Sequence, residues 1–214
     1  MNYLSTATRA ISNKQIEGQS FLYSMEQDFF SDYSQKLSDN LTSFDWSPVL
    51  KLAKIIEKAW RDGAQVFLCG NGGSAGNASH IANDLIFAVS EGKVPGIKAS
   101  ALTANPAVIT CLANDLGYEH IFSEQLLVAA NKGDILVALS GSGNSPNIVN
   151  ALKQAGKMQM HSAAILGFSG GCCKPLADLP IHLEINDMQM VEDIQIIIGH
   201  MIMKWLRTRI SLIS

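Results

Sequence analysis

From residue 65 onward the chain alternates short apolar runs with segments of helical spacing, and this alternation restricts its fold more than any other feature. The five apolar runs are short enough for strands and lie at 65–69, 98–102, 134–139, 162–167 and 181–185. The helical segments lie at about 74–87, 106–114, 121–130, 146–157 and 190–207. Strands connected by helices at this spacing form βαβ units. The pattern therefore predicts an α/β fold whose mostly parallel sheet is covered on both faces.

The first 62 residues have a different pattern. Residues 1–18 are polar and weakly patterned, which predicts a loose N-terminal arm. Two helices are predicted within 19–62, the second of them capped by Ser47, with Pro48 as its first residue. The wide apolar face of the first helix fits either an oligomer interface or a cover for the sheet edge, and both remain open. Because no linker or repeat is present, we expect a single domain over residues 1–214.

Composition excludes several classes of protein. Hydrophobic residues make up 47% of the chain and charged residues 16%, which argues against intrinsic disorder. The net charge of -3 argues against a protein that coats nucleic acid or an anionic membrane. The late apolar stretch 194–206 is interrupted by polar residues and is too short for a membrane span. The four cysteines form no C-x-x-C pair and no signal-peptide pattern is present, so we expect a cytoplasmic protein with reduced thiols.

A glycine-rich turn, residues 69–76, follows the first predicted strand and opens a helix. Glycines there allow a sharp turn and expose N–H groups that attract anions or polar ligands. The spacing also fits a dinucleotide fingerprint, but the second strand ends at Asn105 without the required carboxylate, so we expect no nucleotide cofactor. The alternative is a plain tight turn, which has no need of the polar side chains of Asn71 and Ser74.

A second loop, residues 140–145, follows the third strand and reads Ser-Gly-Ser-Gly-Asn-Ser before Pro146. Hydroxyls and free N–H groups at a helix start can bind a phosphate monoester, and no lysine or arginine lies in the loop. A capping turn with spare serines is the alternative, although capping requires fewer polar positions. Both loops follow parallel strands, so we expect them at the same edge of the sheet.

Four titratable side chains could supply chemistry beside these loops. His80 and Asp84 lie four residues apart, on one face of a predicted helix, while Glu192 and His200 lie eight apart on the last helix. A histidine in an apolar stretch is usually a structural residue. If the two helices meet near the loops, however, these side chains could form an acid–base pair or bind a metal such as zinc.

These loops, together with Ala113-Asn114-Asp115, resemble the sugar isomerase (SIS) domain family over about residues 20–207, and its phosphoheptose isomerase branch most closely. The resemblance implies a three-layer, flavodoxin-like sheet of five parallel strands with two added N-terminal helices. It also implies a homotetramer with active sites at subunit interfaces. The implied reaction converts sedoheptulose 7-phosphate to D-glycero-D-manno-heptose 7-phosphate for surface polysaccharide. The alternative within this fold is a non-catalytic module that binds sugar phosphates or associates with a replication initiator.

The resemblance also assigns roles to individual residues. Asp84 would be the catalytic base and His200 the acid, or the reverse, and some members bind zinc at positions that correspond here to His80, Asp84, Glu192 and His200. The substrate would be bound by Asn71, Gly72, Gly73, Ser74, Asn105, Ser140, Ser142, Asn144 and Ser145.

Four positions depart from the family pattern. Asp84 and Glu192 stand where glutamate and glutamine are usual, and Gln195 replaces a frequent histidine. No arginine follows the carboxylate at 87–88.

Overall fold

The computed structural model describes residues 28–211, and the chain divides between Phe44 and Asp45 into two compact units. The described part of the first unit is one helix, α1, at residues 28–43. The predicted arm at 1–18 and the predicted start of the first helix lie outside the described residues. The assignment of the whole chain to one domain stays a prediction.

The second unit alternates strands and helices as the sequence pattern predicts. Its strands are β1 (Val66–Cys69), β2 (Ala99–Ala101), β3 (Ile135–Ser140), β4 (His161–Leu166) and β5 (Leu179–His182). Its α-helices are α2 (Ser47–Asp62), α3 (Gly73–Asn83), α4 (Pro106–Asp115), α5 (Ser123–Ala129), α6 (Pro146–Lys157) and α7 (Met188–Ser211). One π-helical turn, Asp84–Ala88, follows α3 directly, and short 3-10 turns lie at Tyr118–His120 and Gly171–Cys173.

All five strands are parallel and lie in the order β2-β1-β3-β4-β5. The three-layer, flavodoxin-like α/β architecture with a five-stranded parallel sheet is therefore confirmed. The strand order reverses between β1 and β3, and ligands of such sheets bind at the carboxyl ends of the strands at this reversal. Both loops singled out in the sequence follow these two strands.

Two predicted boundaries are wrong in instructive ways. The last strand runs over Leu179–His182 rather than 181–185, because β5 is an edge strand and tolerates Pro180, which has no N–H to donate. Ser47 does not cap α2 but is its first residue. Its N–H and its hydroxyl both donate to the carboxylate of Asp45, at 2.9 and 2.7 Å.

The core lies on both faces of the sheet. On one face, buried residues of β1, β3 and β4 pack against α5 and α6, with Phe122, Leu126 and Ile148 among the most deeply buried side chains. Helices α3 and α7 pack against each other and run in the same direction. This pairing brings the predicted histidines together.

Between residues 28 and 211 no helix combines the length and apolar character needed to cross a bilayer.

Candidate functional site

A cleft of about 250 Å³ opens at the carboxyl ends of β1 and β3, between the two loops. Six of the predicted substrate-binding residues are in or beside it. Five contribute side chains to its lining, Asn71, Ser74, Ser140, Ser142 and Ser145, and Gly72 contributes backbone. Of the lining residues only Glu192 is charged at neutral pH. An anion bound here would therefore be held by hydrogen-bond donors and by the N-terminal end of α6.

The hydroxyls of the serine loop (residues 140–145) are arranged as donors. The oxygen of Ser140 accepts the N–H of Gly143 at 3.1 Å, and that of Ser142 accepts the N–H of Asn144 at 3.2 Å. Ser145 occupies the N-cap position of α6, but its side chain makes no capping bond. None of these three hydroxyls donates to another described residue, so each O–H is free to donate to a ligand.

The segment 168–174 holds this loop in place. Asn144 accepts the N–H of Cys172 through its side-chain oxygen at 3.0 Å, and the N–H of Cys173 donates to the carbonyl of Gly143 at 2.9 Å. Gly143 has a φ of +66°, and a Cβ there would lie 2.1 Å from the carbonyl oxygen of Gly170. Asn144, a predicted substrate contact, therefore supports the loop instead of lining the cleft.

Buried thiols beneath the cleft add no charge to it. Burial raises the pKa of Cys173 to about 11, and it raises that of Cys69 as well. Both groups therefore remain neutral thiols at physiological pH. All four cysteines of the chain are free, which fits the prediction of reduced thiols.

The glycine loop (residues 69–76) forms the opposite wall of the cleft. Gly72 precedes α3 with a φ of +54°, and a Cβ on Gly73 would lie 2.2 Å from a carboxylate oxygen of Glu192. Gly72 is therefore favoured by its backbone conformation, whereas a side chain at Gly73 would displace the carboxylate of Glu192. The hydroxyl of Ser74 is buried and donates to the side-chain oxygen of Gln195 at 2.9 Å, which ties α3 to α7.

Asn105 is placed elsewhere. It is exposed and caps α4, accepting the N–H groups of Ala107 and Val108 at 3.1 and 3.3 Å. It does not line the cleft. Its substrate-binding role stays a prediction.

A separate groove of about 450 Å³ contains the predicted acid–base residues. His80 comes from α3, Asp84 begins the π-helical turn, and His200 comes from α7. The Nε2 atoms of the two histidines are 2.9 Å apart, and they lie 3.6 and 3.7 Å from Oδ2 of Asp84. We call these three residues the His–Asp–His cluster.

Asp84 is the most constrained member of the cluster. Its residue exposure is 7%, and its Oδ2 atom has no hydrogen-bond partner among the described residues. The two histidine side chains, by contrast, are about half exposed. A buried carboxylate oxygen without a partner is costly, and such groups occur where a ligand, a proton or a cation completes the site.

The cluster fits a metal ion as well as a proton. A tetrahedral zinc with ligands at about 2.0–2.1 Å places its ligand atoms about 3.3–3.4 Å apart. The distances of 2.9, 3.6 and 3.7 Å in the cluster bracket this spacing. Among the described residues, His80, Asp84 and His200 form the group whose ligand atoms are close enough for a shared metal. Glu192 is not part of that group, and its carboxylate lies against the glycine loop instead.

Several residues that organise the site have no clear signal in the sequence. The guanidinium of Arg207 donates twice to the carbonyl of Ala88, at 2.9 and 2.6 Å, and thereby holds the end of the π-helical turn that begins at Asp84. Gln195, Asn147 and Tyr118 bond to residues of the glycine loop. π-Helical turns often mark functional sites, but nothing in a local sequence distinguishes them from an α-helix.

Comparison with known proteins identifies relatives for most of the chain. The SIS domain family model matches residues 29–167. A phosphoheptose isomerase of Chlorobaculum parvum is 36% identical over 174 residues, which cover 80% of this chain and 83% of that protein. A phosphoheptose isomerase of Trichlorobacter lovleyi is 34% identical over 186 residues, which cover 86% of this chain and 91% of that protein.

Solved structures agree with these relatives. A phosphoheptose isomerase from Neisseria gonorrhoeae superposes with a TM-score of 0.78 at 26% identity, covering 85% of this chain and 98% of that one. The Vibrio vulnificus NanR protein, solved with ManNAc-6P, has a TM-score of 0.58 at 14% identity over 83% of this chain and 61% of that one, and it shares the fold alone. Proteins of this fold thus include one that was solved with a sugar phosphate, but the more similar proteins among these are phosphoheptose isomerases.

Proposed function

The chain belongs to the SIS domain family, and we propose that it is a phosphoheptose isomerase that converts sedoheptulose 7-phosphate to D-glycero-D-manno-heptose 7-phosphate. The observation that carries this proposal is the His–Asp–His cluster, in which a buried carboxylate oxygen without a hydrogen-bond partner among the described residues faces two imidazoles. A module that only binds sugar phosphate has no need of such a cluster. The relatives at 34–36% identity support the isomerase hypothesis. Both are named as phosphoheptose isomerases, and neither is named as a replication-associated module.

The reaction transfers a proton between two adjacent carbons of the sugar. A base removes the proton from C1 of the ketose, which gives an enediolate, and the proton is returned to C2 while the oxygens exchange their protons. Asp84 has the free carboxylate oxygen that a base requires, and His200 can donate and accept protons at Nε2, within 3.7 Å of that oxygen. We assign Asp84 as base and His200 as acid, although the reverse assignment uses the same geometry.

The serine loop would bind the phosphate through the O–H groups of Ser140, Ser142 and Ser145. The oxygens of Ser140 and Ser142 are already held by backbone N–H groups of the loop, so these two hydroxyls need little rearrangement on binding. The glycine loop would contact the sugar.

The position of the cluster supports a site shared between subunits of a homotetramer. The cleft and the groove have no lining residue in common. Glu192 in the cleft and His200 in the groove are eight residues apart on α7, a rise of about 12 Å. We propose that the groove of one subunit completes the cleft of another. The two N-terminal helices within residues 19–62 would supply the oligomer contacts.

A mixing experiment tests this arrangement. Ser142→Ala/Ser145→Ala weakens the cleft, and His200→Ala weakens the groove, so each variant alone should have little activity at a substrate concentration below the wild-type KM. In mixed oligomers of the two variants, about a quarter of the sites would combine an intact cleft with an intact groove. We expect activity to return to about that fraction. If the mixture showed no recovered activity although mass spectrometry verified mixed oligomers, the whole site would lie within one subunit.

Zinc is the metal that suits the cluster. Two histidine nitrogens and one carboxylate oxygen would hold it, leaving a position open for substrate. When bound, it would polarise the sugar carbonyl. Cobalt(II) can be titrated in its place, and we expect a visible absorption of tetrahedral type that disappears in His80→Ala.

The first test of the proposed activity is direct. Incubation of the protein with sedoheptulose 7-phosphate, with and without zinc, should produce aldose that NMR detects. No product in either sample, from protein of verified oligomeric state, would contradict the proposal.

We place the reaction in the cytoplasm, where the free thiols would stay reduced, and assign its product to heptose synthesis for surface polysaccharide.

A further inference from the structure

The side chains of Asn71 and Asn147 form a reciprocal amide pair across the cleft. The amide of Asn71 donates to the oxygen of Asn147 at 2.9 Å, and the amide of Asn147 donates to the oxygen of Asn71 at 2.8 Å. Asn147 is buried at the start of α6, and Asn71 lies in the glycine loop. The pair therefore joins the glycine loop to the helix that follows the serine loop.

The orientation of both amides is fixed by one backbone group. The N–H of Ile148 donates to the side-chain oxygen of Asn147 at 2.9 Å, and a backbone N–H can only donate. The Asn147 oxygen must therefore face Ile148, and the partner atom on Asn71 must be the nitrogen. The second oxygen–nitrogen contact follows from the first.

Tyr118 completes this network from outside the pair. Its hydroxyl donates to the oxygen of Asn71 at 2.9 Å. That oxygen has two lone pairs, and the amide of Asn147 uses the other one. Both lone pairs of the Asn71 side-chain oxygen are therefore used. The side chain of Asn71 keeps one N–H that donates to no described residue. Asn71 lines the cleft beside the free O–H groups of the serine loop.

We propose that Tyr118 is a positioning residue for substrate binding, because its hydroxyl restricts Asn71 to the role of a hydrogen-bond donor. The cleft then presents donors from both walls, which suits a ligand rich in phosphate and carbonyl oxygens. Without the phenol, an open lone pair of Asn71 would face the ligand and repel its oxygen atoms. This inference rests on the proposed function for its substrate.

Tyr118→Phe is the variant that tests this role. The side chain is 54% exposed, so loss of its hydroxyl leaves no buried cavity. A hydrogen bond of this kind corresponds to about a threefold to tenfold change in affinity. We expect KM for sedoheptulose 7-phosphate to rise by about that factor, while kcat and the thermal unfolding temperature remain unchanged.

A matched control removes another exposed hydroxyl. Thr110→Val deletes a bond from a side chain to a carbonyl of its own helix, and it should leave KM unchanged. If Tyr118→Phe lowers kcat and the unfolding temperature together, or leaves KM at the wild-type value, the positioning role is overturned.

A second measurement does not depend on turnover. Selective 15N labelling of asparagine resolves the side-chain amide signals of Asn71 and Asn147 in the free protein. In Tyr118→Phe we expect these two signals to shift while the other asparagine amides stay in place, and unchanged signals would refute the contact. Should the wild-type protein fail to isomerise the sugar, this result would still decide whether the Tyr118 hydroxyl holds the amide of Asn71.

Discussion

The cleft between the two loops and the groove between α3 and α7 satisfy their polar groups in opposite ways. In the cleft, the oxygens of Ser140, Ser142 and Asn71 already accept hydrogen bonds, and only their hydrogens remain unused. In the groove, Oδ2 of Asp84 has no hydrogen-bond partner among the described residues, and its nearest polar neighbours are the two imidazoles at 3.6 and 3.7 Å. The three side chains of the cleft therefore offer hydrogen-bond donors, as the proposed binding of a phosphate requires. The groove retains an unsatisfied carboxylate, which is where proton transfer or metal binding can occur.

The largest effect should come from the unsatisfied group itself. We expect Asp84→Asn to lower turnover about 10²–10⁴-fold, because an amide cannot accept the proton of the sugar carbon. Affinity for sedoheptulose 7-phosphate, measured by calorimetry, should persist because the cleft is unchanged. The unfolding temperature should change little, since Oδ2 of Asp84 makes no hydrogen bond to a described residue that the amide would lose.

Asp62→Asn is a suitable control for this variant, because Asp62 is an exposed carboxylate at the end of α2. It should leave turnover unchanged. If Asp84→Asn retained near-normal turnover, the contrast between a binding cleft and a reactive groove would fail.

Substitution of either histidine of the cluster should lower turnover less than Asp84→Asn does. We expect His200→Ala to reduce turnover about 10²-fold, as the loss of a general acid does. His80→Ala should reduce it less, because the resemblance assigns the acid to the histidine of the last helix. Steady-state kinetics with His161→Ala as control, an exposed histidine at the start of β4, would show the order. The reverse order would transfer the acid role to His80.

On the cleft side, Ser145→Ala removes a hydroxyl that makes no capping bond to α6 and donates to no residue between 28 and 211. We expect KM to rise about tenfold or more, with kcat nearly unchanged, because a hydrogen bond to a charged group contributes about 1.5–3 kcal/mol. Ser79→Ala, which deletes an exposed hydroxyl on α3, is the control. An unchanged KM for Ser145→Ala would mean that the serine loop does not hold the phosphate.

Much of the fold could be predicted from the sequence, because the alternation of apolar runs and helical spacing leaves few other α/β arrangements. Strand β5 begins at Leu179, before the predicted start at residue 181. Proline excludes an interior strand, and the sequence does not show that the strand containing Pro180 lies at an edge of the sheet. The π-helical turn at Asp84–Ala88 was missed because its extra residue depends on tertiary contacts, including the bond from Arg207 to Ala88.

The candidate site was predictable as a set of residues but not as a set of contacts. Helical spacing placed His80 and Asp84 on one face, and His200 joins them because the two helices meet, a contact that the sequence left open. The sequence could not show that Ser74 and Asn144 bond to other parts of the protein, because those partners lie far along the chain or in a later loop. For the same reason it could not show which cavity Glu192 faces.

Glu192→Gln should have the smallest effect of these variants on KM, and it distinguishes the cleft from the groove most clearly. The structure places its carboxylate at the glycine loop, as the one charged group lining the cleft and outside the His–Asp–His cluster. A negative charge there opposes a bound phosphate, so Glu192→Gln should lower KM about threefold, and less at high salt. The cobalt spectrum should be unchanged. A weakened cobalt spectrum would make Glu192 a metal ligand and would join the cleft to the groove, whereas a higher KM would show that its carboxylate accepts a hydrogen bond from the sugar.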